Sequence, residues 1–161
     1  MTKALLIVDV QSYFIKSAPQ DFATRIVEHI KKTNYNYLVF TAFRNSPNSI
    51  FRKNLKWTEC QEDKDTELPS EFKSFISDNI FESRDTYSAL KSKKIRNYLD
   101  KNHVNELDIC GIDTDACVLA TAFEAFDLGF KVSVLYDLCF SSANLDEAAK
   151  KIITRNLNTR N

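Results

Sequence analysis

Five short runs of branched and aromatic apolar residues alternate with stretches whose apolar positions repeat at helical spacing, and that alternation confines the chain to strand-helix-strand units. Residues 4–10 form the first run, continuously apolar from Ala4 to Val8 as a strand covered on both faces must be. Phe22, Ile26, Val27 and Ile30 then mark a helix over 21–33, and residues 37–43 (YLVFTAF) a second strand. Residues 44–69 are polar around Phe51, Leu55 and Trp57, a long loop with a helical turn or two that is better suited to covering a site than to linking domains. Ile80-Phe81 is a weak third strand, residues 88–99 a helix, 106–112 a fourth strand, and 115–128 a helix ended by Gly129. A fifth strand at 131–136 and a helix at 145–157 close the pattern. The expected fold is α/β, doubly wound, with three layers around a central mostly parallel sheet.

Composition agrees with one domain over residues 1–161, because 161 residues at 43% hydrophobic content can bury a core without disulfides or a metal. Twenty-two basic side chains balance 22 acidic ones, so the excess positive charge that drives nucleic-acid binding by neutralising phosphates is missing. The leading apolar stretch, residues 4–8, is too short for a signal peptide or a membrane span, which points to a cytoplasmic protein with no membrane partner. Cys60, Cys110, Cys117 and Cys139 have no C-x-x-C spacing, so reduced thiols are expected rather than a zinc ribbon. With only Gly111 and Gly129, neither a dinucleotide fingerprint nor a phosphate loop can be written, and no cofactor is expected. His29 and His103 stand apart, in a helical pattern and a polar connector, and supply neither a metal cluster nor a Ser-His-Asp triad.

In an open parallel sheet the carboxyl ends of the strands border the ligand crevice. Asp9 ends the first strand, Arg84 lies just past the third, and Cys117 follows the fourth at the opening turn of a helix. Because first and fourth strands are neighbours in many doubly wound sheets, Asp9 and Cys117 can face one another. A helix N-terminus favours the thiolate of Cys117, lowering its pKa, and offers N–H groups to an oxyanion. A cysteine there can also be a small buried hydrophobe, and Asp9 a loop cap. Cys110 reads as core, and Cys60 and Cys139 as inert.

LLIVDVQSYF resembles the D-x-Q-x-x-F opening of the isochorismatase-like cysteine hydrolases, GIDTDACVLATA their G-x-x-T-D-x-C-V nucleophile motif, and RDTYSAL their K-x-x-Y-S-A-F segment. The resemblance runs from residue 4 to about 157. It implies a doubly wound hydrolase, assembled as a dimer or tetramer, that cuts amides, carbamoyl compounds or a vinyl ether with an Asp-Lys-Cys triad. Carried over by position, Cys117 is the nucleophile and Asp9 its base. A cis peptide falls at Ile112-Asp113, the N–H groups of Asp113 and Cys117 form the oxyanion hole, and Phe14 and Tyr87 line the substrate pocket.

The chain departs from that pattern at two places. Arg84 stands where the triad lysine belongs; a guanidinium supplies charge and pairs bidentately with a carboxylate but does not release a proton. It can alternatively form a surface pair with Glu82 or Asp85. Where nicotinamidases of the family carry an Asp/His metal cluster, residues 41–57 hold no histidine, so no bound metal is expected and nicotinamide is not the first choice of substrate. A thiol nucleophile also argues against the vinyl-ether reaction. The expectation is a metal-free cysteine hydrolase of a small-molecule C–N bond acting through a thioester. The alternative is a non-catalytic binding or assembly protein that lost turnover with the lysine.

Overall fold

The computed structural model describes residues 1–157. Its elements are β1 (Lys3–Val8), α1 (Ser12–Ile15), α2 (Phe22–Lys32), β2 (Tyr37–Phe43), α3 (Ile50–Leu55), α4 (Lys73–Ile76), β3 (Ile80–Arg84), α5 (Lys93–Lys101), β4 (Glu106–Ile112), α6 (Leu119–Asp127), β5 (Lys131–Phe140) and α7 (Asp146–Leu157). The five strands form one sheet in the order β3-β2-β1-β4-β5, and every pairing is parallel. The fold is the expected doubly wound one, with the central sheet wholly parallel.

Right-handed crossovers put the connections after β1 and β2 on one face of this sheet and those after β3 and β4 on the other. Both faces are therefore covered, which is why Ala4 to Val8 and Leu107 to Ile112 are buried without alternation. α2 contributes Phe22, Ile26, Val27 and Ile30 to the core along one stripe. α6 ends where Gly129, at φ 87°, lets the N–H of Phe130 return to the carbonyl of Ala125.

Several boundaries differ from the sequence reading, each for a local reason. β1 stops at Val8 because Asp9 turns the chain at φ 52°. β3 runs through Arg84, so that side chain leaves from the last residue of a strand. The expected helix over 88–99 is a 3-10 turn at Ala89–Lys91 followed by α5, which restarts where the Ser92 hydroxyl accepts the N–H of Ile95. β5 continues to Phe140, and its pairing with β4 slips between Ile109 and Gly111. Residues 44–69 hold α3 and a 3-10 turn at Asp63–Thr66 and fold back over the sheet's carboxyl edge.

β1 and β4 are adjacent at the point where strand order reverses, so the ends carrying Asp9 and Cys117 open into the same crevice. The two strands are pressed together there. A Cβ on Gly111 would lie 2.0 Å from the carbonyl oxygen of Val8, so only glycine fits under Asp9.

Candidate active site

Asp9 has no solvent exposure, and its carboxylate is surrounded by donors from β2 and β3. Arg84 Nη1 donates to Oδ1 at 2.6 Å and Nη2 to Oδ2 at 2.9 Å, the bidentate fork of a guanidinium on a carboxylate. The same nitrogens donate to the carbonyls of Ala42 (3.2 Å) and Tyr87 (2.8 Å), which fixes the plane of the fork. Burial opposes the charge on Arg84, but the Asp9 carboxylate outweighs it and the net shift is upward, so the cation persists. The surface pairing considered for Arg84 does not form: Glu82 pairs with Lys94, and Asp85 accepts from the Ser46 hydroxyl.

Cys117 sits in a π-helical turn, Thr114–Val118, that leads into α6. The residue is 8% exposed, lines a cavity of about 260 Å³, and lies close enough to Asp9 and Arg84 for both charges to act on its thiol. Helix-terminus chemistry predicted a lowered thiol pKa, and the structure reverses that expectation. Burial pushes the thiol well above its ordinary value, Asp9 pushes it further, and Arg84 only partly offsets them. Cys117 therefore rests as a neutral thiol beside a buried carboxylate.

Cys60, Cys110 and Cys139 are also free and buried. Cys60 is not a loop bystander: its thiol donates to the carbonyl of Phe43 at 3.3 Å and belongs to the apolar cluster of Phe43 and Phe51. Burial pushes it up to about 12.

The cavity walls are aromatic. Phe14, Phe43, Phe51, Trp57 and Tyr87 line it, with Trp57 stacked on Phe43 at 5.5 Å and Phe51 edge-on to Tyr87 at 4.7 Å between ring centres. Two carboxamides fasten this wall. Gln11 donates to the carbonyls of Phe43 (2.8 Å) and Asp65 (2.9 Å) and accepts from the N–H of Phe43, while Asn45 donates to the carbonyls of Trp57 (2.9 Å) and Glu59 (3.0 Å). Ile112 and Asp113 complete the floor. The peptide between them is cis, and the Asp113 carboxylate accepts the N–H of Ser142 at 2.7 Å. Burial pushes that carboxyl above its ordinary value.

Of the residues singled out in the sequence, Phe14, Tyr87, Ile112, Asp113 and Cys117 line one cavity, while Asp9 and Arg84 do not reach its surface and form a buried pair that acts on Cys117 from behind it. Not singled out were Thr41, whose hydroxyl reaches the Asp9 carboxylate, the clamps Gln11 and Asn45, and the wall residue Phe43, whereas Phe51, Leu55 and Trp57, read as part of a loop covering a site, do line the cavity. A lone polar residue inside YLVFTAF was the signal for Thr41; aromatics inside a polar loop were the signal for Phe51 and Trp57. His29 lies apart, with Nε2 2.8 Å from the Tyr35 hydroxyl, which donates to Asp108 at 2.6 Å. Among the described residues no three His, Cys, Asp or Glu side chains gather as a metal cluster, and no helix is long and apolar enough to cross a membrane.

A buried carboxylate, a cation and a thiol at the switch point of a doubly wound sheet define an α/β protein with a cysteine-centred crevice. The Isochorismatase domain family model matches residues 3–158, and the chain belongs to that family of hydrolases. A nicotinamidase from Saccharomyces cerevisiae is 33% identical over 82 residues, half of this chain but 38% of that protein's length. The pyrazinamidase/nicotinamidase of Streptococcus mutans superposes with a TM-score of 0.84 at 20% identity, covering 98% of each chain. N-carbamoylsarcosine amidase from Thermoplasma acidophilum gives 0.83 at 21% identity, covering 99% of this chain and 94% of that one. Likeness at these identities concerns the fold.

Proposed function

We propose that this protein hydrolyses the C–N bond of a small uncharged amide through a thioester on Cys117. The observation that carries the reading is the buried Asp9 carboxylate, held by the Arg84 fork, with its charge acting on the Cys117 thiol that lines a largely aromatic cavity. When an amide enters, the S–H proton passes to Asp9 and the sulfur pair bonds the carbonyl carbon, whose π pair moves onto oxygen. The N–H groups of Asp113 and Cys117 are the proposed donors to that oxyanion. As the pair returns, the C–N bond breaks and the leaving nitrogen takes the proton from Asp9. Asp9 then takes a proton from water, hydroxide attacks the thioester, and the acid leaves as the thiol is restored. Arg84 moves no proton; it keeps Asp9 oriented and balances each negative charge as it forms.

Cavity chemistry supports an uncharged acyl group. Its five aromatic walls offer area rather than charge, the Arg84 nitrogens Nη1 and Nη2 are occupied, and Asp113 would repel a carboxylate. Amides such as those named for the nicotinamidase neighbours fit this description better than the carboxylated compound named for the N-carbamoylsarcosine amidase. The family likeness also favours a homo-oligomer, a dimer or tetramer. The second reading, a binding protein without turnover, draws on the same fork, because two of the lone pairs Asp9 needs as a base are already engaged.

A panel of small primary amides with ammonia detection tests the proposal, with intact-mass trapping of the acyl adduct. Turnover of an uncharged aromatic amide, an adduct on Cys117 and loss of both in Cys117→Ala are expected. Tight binding of those amides with neither ammonia nor adduct would establish the binding protein instead.

A further inference from the structure

We infer that Thr41 is a positioning residue that selects Oδ2 of Asp9 as the atom that takes the thiol proton; the inference rests on the proposed role of Asp9 as base. Thr41 is fully buried near the end of β2, between the buried Phe40 and Ala42. Its Oγ1 donates to Asp9 Oδ1 at 2.8 Å and accepts the N–H of Asp9 at 3.2 Å. Both ends of the hydroxyl are therefore used on one residue, and its rotor is fixed.

Two consequences follow for Asp9. Its backbone is at φ 52°, a left-handed conformation that a non-glycine residue holds only with support, and the bond from its N–H to Thr41 supplies that support. Its two carboxylate oxygens also become unequal. Oδ1 accepts from both Arg84 Nη1 (2.6 Å) and Thr41 Oγ1 (2.8 Å), which fills its two in-plane lone pairs. Oδ2 accepts from Arg84 Nη2 alone (2.9 Å) and keeps a lone pair open. The charged or titratable groups facing this carboxylate are Arg84 from β3, Cys117 from the 114–118 turn, and the thiol of Cys60 from the covering loop. In the transfer the S–H bond breaks, its proton joins Oδ2, and the sulfur pair becomes the nucleophile. Without the Thr41 bond Oδ1 regains an open lone pair and no longer differs from Oδ2, so the proton has no preferred acceptor.

The rate of Cys117 carboxamidomethylation by iodoacetamide, read by peptide mass spectrometry from pH 5 to 9, isolates this step without needing a substrate; sulfur bonds the CH₂ carbon and iodide leaves. Thr41→Val is expected to slow labelling about tenfold or more, in line with loss of a hydrogen bond to a charged group. Thr41→Ser keeps both bonds and should stay within about twofold of wild type. A folded Thr41→Val protein with the wild-type rate overturns the assignment, and so does a folded Thr41→Ser protein slowed tenfold, since that assigns the effect to the lost methyl. Asp9→Asn separates the two ideas. If it labels like wild type, the base role fails; if it is slow while Thr41→Val is not, only the Thr41 assignment fails.

Discussion

Replacing Arg84 by lysine restores the residue type that the family pattern places there, and the structure sets the cost. Arg84 makes four hydrogen bonds: two to Asp9 and one each to the carbonyls of Ala42 and Tyr87. A lysine has a single nitrogen on an unbranched stem and cannot span both oxygens of Asp9 and both carbonyls, so at least two of these contacts are lost. Hydrogen bonds to charged groups contribute about 1.5–3 kcal/mol each, so the gross loss is about 3–6 kcal/mol. The retained positive charge offsets part of it. With side-chain exposures of 5% and 0% for Arg84 and Asp9, water screens little of the rest, and a net loss of about 2–4 kcal/mol is expected. For a chain of this length that lowers Tm by about 4–16 °C. Arg84→Met removes the charge entirely, leaves Asp9 buried without a counterion, and should lose more, about 3–5 kcal/mol. Thermal melts followed by circular dichroism give the order wild type, Arg84→Lys, Arg84→Met. Iodoacetamide labelling of Cys117 in the same proteins should fall at least tenfold in Arg84→Lys, because the fork no longer orients Asp9. An Arg84→Lys protein as stable as wild type and faster in amide hydrolysis would refute this reasoning, since it would mean that the guanidinium had been obstructing Asp9.

Two further outcomes follow from burial and close packing. All four thiols are pushed upward by burial, Cys60 and Cys139 to about 12 and Cys110 and Cys117 well above the usual thiol value. They stay protonated in the folded chain while an unfolded chain ionises them near pH 8.5, so their contribution is intact below that pH and lost as pH rises, by up to about 1.4 kcal/mol per thiol per pH unit. Urea midpoints should fall between pH 8.5 and 10, and Cys139→Ala should flatten that slope by about a quarter; an unchanged midpoint across this range would contradict the burial. Gly111→Ala places a Cβ 2.0 Å from the Val8 carbonyl oxygen at φ 129°, so a loss above about 4 kcal/mol, seen as insoluble or unfolded protein, is expected. Wild-type solubility and melting would show that β1 and β4 can separate at this point.

How far the fold and site can be read from sequence depends on whether a feature is local. Strand runs, the α2 stripe and the Gly129 stop are set by near neighbours and could be read directly, as could the sequence motifs around Asp9, Arg84 and Cys117. Boundaries failed where a tertiary contact decides them: β1 ends early because Thr41, 32 positions away, holds Asp9 in a left-handed turn. β5 runs on to Phe140 because β4 slips beside it, which no periodicity within β5 announces.

The protonation of Cys117 shows the same limit in energetic form. A helix start favours a thiolate only where the helix dipole outweighs every other influence on the sulfur. Here the thiol is buried beside a buried carboxylate, and desolvation with like-charge repulsion exceeds what the Arg84 cation returns. One substitution in RDTYSAL therefore governs two quantities: how firmly Asp9 is oriented and how much of its negative charge the thiol senses. A lysine would do the second with little of the first. The guanidinium does both, which ties the charge of Asp9 to the geometry of its clamp and makes Thr41, a donor to that carboxylate from outside the clamp, the position where orientation can be changed while the charge stays in place.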